Sequence, residues 1–142
     1  MGMKTTSIVK SLLLTCAVGI FTATAQADEK TDAAVAAAKQ WLALVDTKEY
    51  KKSWEEAAPF FKKRVTENDW VKMINLARGP FGDVKSRELM GAKYTTSLPG
   101  APDGEYVVIQ FHTDFANKAD SVETITPMKA DKNWKVSGYF IK

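Results

Sequence analysis

The sequence predicts an α+β domain in which three helices cover one face of a four-stranded, mostly antiparallel sheet. Three observations carry this. Apolar residues recur every three or four positions up to about residue 78. From about residue 86 the period switches to two. Short Gly, Pro, Asn and Asp clusters then separate the apolar runs, and connections that short join antiparallel neighbours. Helices followed by a meander form two layers with the helices on one side of the sheet.

The N-terminus reads as an export signal, to be set aside before any fold reasoning. Lys4 and Lys10 precede an apolar stretch from Leu12-Leu13-Leu14 to Phe21, and Ala25-Gln26-Ala27 supplies small residues for signal peptidase. The run falls short of the ~20 apolar residues that span a bilayer. The expected division is a removed signal peptide, 1–27, cut between Ala27 and Asp28, and one domain, 28–142. That places the domain in the periplasm or outside the cell, with no transmembrane span in the mature chain. Lipidation at Cys16 fits poorly, because Leu14-Thr15 precede it where Gly or Ala is normal. It would also leave an apolar leader on the mature chain.

Removing 27 of the 142 residues leaves 115, enough to bury one core. It also removes the only cysteine, and with it disulfides and thiol chemistry. Two lysines and no acid are lost, so the net charge of +3 falls to about +1, no footprint for nucleic acid.

The elements follow in order. Thr31 or Asp32 is expected to cap a helix through AAVAAAKQWLALVD, with Ala34, Ala38, Trp41, Leu42 and Val45 as its apolar stripe. A second helix starts near Glu49 and presents Tyr50, Trp54, Ala57, Ala58, Phe61 and Val65, with a kink or break at Pro59. Thr66 and Asp69 read as a capping box opening a third helix, with Trp70, Met73, Ile74 and Ala77 on its face. Gly79-Pro80 ends it. Strands are expected near 86–96, 106–115, 121–129 and 134–141. Gly138 in the last suggests a bulge or a close helix crossing.

In the second strand, Val107, Ile109, Phe111, Thr113 and Phe115 alternate with Tyr106, Val108, Gln110, His112 and Asp114. The first set is the expected core face. The second carries a histidine and a carboxylate two residues apart, near enough for a base and its orienting acid. The plainer account is the solvated face of an antiparallel strand. His112, Asp114 and Glu123 are the candidates for acid–base chemistry, and no complete catalytic constellation is expected among them. Arg87, Glu88 and Glu123 could meet across the sheet. Arg78 and Arg87 flank GPFGDVKS, where they could bind an anion or pair with Glu88 and Asp83. Arg78, Arg87, Tyr94 and Tyr139 are the ligand-binding candidates. One histidine, no mature cysteine and no carboxylates at loop spacing give no expected metal site. No phosphate loop, nucleophile elbow or dinucleotide fingerprint calls for a cofactor.

The stretches YKKSWEEAAPFF, RGPFGDVKSRE, LPGAPDGEYVVIQFHTDFANK, ETIT and WKVSGYFI together resemble the bacterial domain of unknown function 4019, over about Val35 to Ile141. The resemblance implies an exported protein and carries no activity. The helix-then-meander order also resembles the nuclear-transport-factor-2-like (cystatin-like) superfamily, which implies a curved sheet wrapped into a cone. Enzymes of that superfamily use an Asp or His inside the cone. Here the apolar face would have to turn outward for His112 and Asp114 to do so. The leading expectation is therefore a non-catalytic module that binds a small molecule or an envelope protein. The alternatives are a small acid–base enzyme, and a protein inhibitor or assembly factor using an exposed patch such as Leu98–Gly104.

Overall fold

A computed structural model describes Gly2 and residues 22–142; the stretch from Lys4 to Phe21 lies outside the described residues. Four α-helices precede the sheet: α1 (Thr22–Asp46), α2 (Tyr50–Glu55), α3 (Pro59–Arg64) and α4 (Glu67–Arg78). A 3₁₀ turn at Gly79–Phe81 then leads into β1 (Val84–Thr95), β2 (Tyr106–Phe115), β3 (Lys118–Ala130) and β4 (Asn133–Ile141). The strands are sheet neighbours in chain order, all antiparallel.

The helix count differs from the expected three because Pro59 breaks the second helix outright. Ala58 adopts an extended backbone, and Pro59 opens α3 where its missing donor costs nothing. The freed Ala58 amide donates to Val136 O on β4, at 2.8 Å. The first helix also starts earlier than expected. Thr31 and Asp32 are interior to α1, and the Thr31 hydroxyl donates to Ala27 O instead of capping. Its C-terminus closes with Lys48 in the left-handed region (φ 62°), Lys48 N bonding Val45 O and Glu49 N bonding Leu44 O.

The Thr66 cap forms as expected, its Oγ accepting from Asp69 N at 3.2 Å. The Asp69 carboxylate accepts from the Thr66 hydroxyl. Met73 departs from the predicted apolar face of α4: it is 55% exposed, whereas Trp70 and Ile74 are buried.

The core lies between α1 and the sheet. Ala34, Ala38, Trp41, Leu42 and Val45 pack against Val107, Ile109, Phe111, Ile125 and Val136, with Trp70 and Ile74 closing one side. Strand alternation in β2 sorts its residues as predicted, except that Tyr106 on the outer face is buried as well. The Leu98–Gly104 loop folds over it, and its hydroxyl donates to Pro102 O. A register irregularity between Ile125 and Pro127 lies opposite Ser137-Gly138. A Cβ at Gly138 would meet nothing within 4 Å, so this glycine marks a bulge and not a helix crossing.

Candidate functional site

Arginine and carboxylate side chains from separate elements meet inside the domain. Asp46 ends α1, Arg78 ends α4, and Arg87, Thr113, Glu123 and Tyr139 come from the four successive strands. Arg87 clamps Asp46 with both terminal nitrogens, at 2.7 and 3.0 Å. Its Nε donates to Glu123 Oε1 at 2.8 Å, so one planar guanidinium spans two carboxylates. Arg78 donates to Asp46 at 2.9 Å and lies 3.7 Å from Glu123. The Thr113 and Tyr139 hydroxyls donate to the two oxygens of Glu123.

Glu123 is wholly buried and Arg78 is 5% exposed, so this group works in a medium of low polarity. Two cations meet two anions, leaving no net charge inside the core. The Arg78 guanidinium also stacks over Phe115, 4.6 Å from the ring centre. Arg78 Nε and Ser121 Oγ are the buried polar atoms without a partner among the described residues. Next to Arg78 and Asp46 lies a hollow of about 40 Å³, room for water and too small for an organic substrate.

Burial alone would raise the Asp46 pKa, but hydrogen bonds from Arg87 and then Arg78 outweigh it and hold this carboxyl below its ordinary value. Burial, reinforced by Glu123, pushes the Tyr139 hydroxyl upward, so it stays a donor at neutral pH. The Asp46 shift has a consequence for stability. The unfolded chain takes up this proton before the folded one does, so the contribution is present above the ordinary value of 3.8 and is lost as pH falls through the lowered one. Glu105, lowered chiefly by its hydrogen bond from Lys30, acts in the same direction. Thermal midpoints should therefore hold steady down to about pH 5 and fall below about pH 4. Asp46→Asn should flatten that fall; an unchanged pH profile in the variant would count against the assignment.

The predicted candidates divide between the two faces of the sheet. Arg78, Arg87, Tyr139 and Glu123 come together inside. The arginines do not pair with Glu88 and Asp83 as expected: their partners are Asp46 and Glu123. Glu88 is exposed, and β1–β2 register sets it opposite His112 on the outer face. Asp46 was missed by sequence reasoning because it belongs to the C-terminus of a helix some 40 positions from Arg87, with no local signal. Tyr94 is remote from this group and donates to Glu105, which also takes Lys30.

His112 and Asp114 lie on the outer face, apart from Glu123. A third side chain joins them there: His112 Nε2 is 3.1 Å from Asp120 Oδ1, and the Asp120 amide donates to Asp114 at 2.8 Å. Asp120 lies eight residues beyond His112, across the β2–β3 turn, a spacing that a search for local ligand motifs passes over.

A separate cleft of about 410 Å³ opens between α1, the end of α2 and β4. Trp41, Leu44, Trp134 and Val136 give it apolar walls, and Gln40, Lys52, Glu56, Asn133 and Lys135 give it a polar rim. Trp134 is partly exposed, with Lys129 seated 5.1 Å from its ring centre.

The stretch holding α1 through β4 matches the model of one family over residues 37–139. The chain belongs to that family, the protein of unknown function family DUF4019. No curated protein matches the chain. The matched segment contains the buried Arg–carboxylate group, the outer His112 corner and the Trp134 cleft; the part of α1 before Ala37, which carries Lys30, and the last residues of β4 fall outside it.

Proposed function

We propose that this DUF4019 domain is an exported, non-catalytic module that binds a small amphipathic molecule in the Trp134 cleft. One observation carries the reading. The buried arginines and carboxylates are paired with each other inside the core, while the cleft offers apolar walls, a polar rim and a volume in the range of ligand sites. Export rests on the Lys4–Ala27 signal pattern, with Asp28 as the mature N-terminus. A cut there shortens α1 and takes away Ala27 O, the acceptor of the Thr31 hydroxyl. The fold reading is a cystatin-like sheet curved into a cone. Register irregularities at Leu89/Gly91 and Ile125/Pro127 favour it, since bulges bend strands.

The test is a fragment screen by chemical-shift perturbation on protein recovered from the periplasmic fraction, with its N-terminus read by mass spectrometry. Expected are a start at Asp28 and hits that move Gln40, Trp134 and Lys135, lost in Trp134→Ala. Hits scattered away from the cleft, or turnover of a substrate abolished by His112→Ala, would overturn the reading.

A second reading, an envelope-protein partner, draws on α4, where Met73 and Leu76 are 55% and 78% exposed one turn apart. The pinned Leu98–Gly104 loop offers it less support, because Arg64 holds Gly100 O and Tyr106 holds Pro102 O.

A further inference from the structure

The geometry points to a site for a late first-row divalent cation, zinc being the type case, on the outer sheet face at His112, Asp114 and Asp120. One donor atom from each of the three lies within 4.8 Å of the others. Donors around zinc bind at ~2.0–2.2 Å and stand roughly 3–4 Å apart, so modest side-chain rotation brings this set onto one ion. The site shares no residue with the Trp134 cleft and does not rest on the reading given to it.

The donors are placed by the hairpin and not by chance proximity of flexible ends. His112 and Asp114 are two apart on β2 and so share a face. Asp120 lies in β3 just beyond the turn, in the left-handed region at φ 53°, which L residues with a Cβ rarely occupy. Its amide is fixed on Asp114 Oδ1, and among the described residues Asp114 Oδ2 faces only the Ser86 hydroxyl, at 3.4 Å. Among the described residues no lysine or arginine forms an ion pair with Asp114 or Asp120. Glu88, opposite His112 on β1, adds a further negative charge beside the group.

Ligand type selects the ion. Magnesium and calcium seek oxygen-only shells, whereas an imidazole with two carboxylates suits zinc, nickel or copper. Three protein donors on an exposed face leave coordination positions for water. An ion there would tie β2 to the third residue of β3.

The test is zinc titration of the full chain carrying Cys16→Ser, which removes the only cysteine as a competing ligand. Binding is read by calorimetry and by the ring signals of His112, the sole histidine. The expected result is one zinc per chain, with the imidazole resonances displaced. His112→Gln and Asp120→Asn should each weaken binding by at least about tenfold. Thermal midpoints in chelator should stay close to the parent's, because the three side chains carry no core packing. Three outcomes would overturn the site: unmoved ring signals at millimolar zinc, equal affinity in Asp120→Asn (a lone surface imidazole), or calcium and magnesium binding as well as zinc (an adventitious cation only).

Discussion

Arg87→Ala should destabilise the domain by roughly 3–5 kcal/mol, the usual cost of removing one partner from a buried ion pair. For a domain of this size that lowers the melting midpoint by on the order of 10–20 °C. The cause is local. Glu123 is wholly buried, and without Arg87 its nearest cation is Arg78 at 3.7 Å. Asp46 would keep one guanidinium of two. Denaturant unfolding of Arg87→Ala beside Glu88→Ala checks the claim. The exposed Glu88 should cost less than about 0.5 kcal/mol. Replacing Arg87 and Glu123 together by apolar residues of similar volume should recover much of the loss, since neither charge is then stranded. A cost under about 1 kcal/mol for Arg87→Ala, the value of an exposed ion pair, would show that the cluster does not hold the fold.

Trp41→Ala should cost a similar amount, roughly 3–5 kcal/mol, for a different reason. Its ring is 4% exposed and packs against Trp70 and Tyr139, with centroids 5.8 and 5.6 Å away. Its indole N–H donates to Ser53 O at 2.7 Å, in the turn of α2 that also holds the Trp70 indole through Ser53 Oγ. Truncation removes apolar contact and strands a buried carbonyl. Trp41→Phe keeps much of the contact and loses the donor, so about 1–3 kcal/mol is expected. Because Trp41 supports the ring whose hydroxyl caps Glu123, the Trp41→Ala and Arg87→Ala effects should not add. Strict additivity in the double variant would mean that the aromatic and ionic parts of the core act separately.

What could be read in advance depended on how local the cause was. Pattern and turn chemistry are short-range, so the alternation of β2, the Thr66 cap and the break at Pro59 were legible from a few neighbouring letters. The stripe Ala34–Val45 was legible for the same reason. Thr31 failed as a cap because helix continuity back to Thr22 outweighed its preference for a terminus. Met73 failed because a helix lying on a small core buries a narrower arc than its pattern offers. The inner ion group was half legible. Arg87 and Glu123 announce themselves as charges on strands, and pleat parity puts them on one side. Asp46 reaches them only through the packing of α1 across the sheet, which no spacing encodes. Asp120 was hidden by the hairpin, whose fold-back sets residues eight apart side by side.

The Ala58 amide bonded to Val136 O bears on how the protein behaves in a crowded solution. β4 is an outer strand of the sheet, and outer strands invite pairing with strands of other molecules. The break between α2 and α3 occupies a position on that edge with a hydrogen bond that an incoming strand would need. The opposite edge, β1, is guarded by other means: an irregular register near Leu89–Gly91 and the charges of Lys85, Glu88 and Lys93. A proline that breaks a helix early in the chain thus frees the amide that covers one position on the outer edge of its last strand.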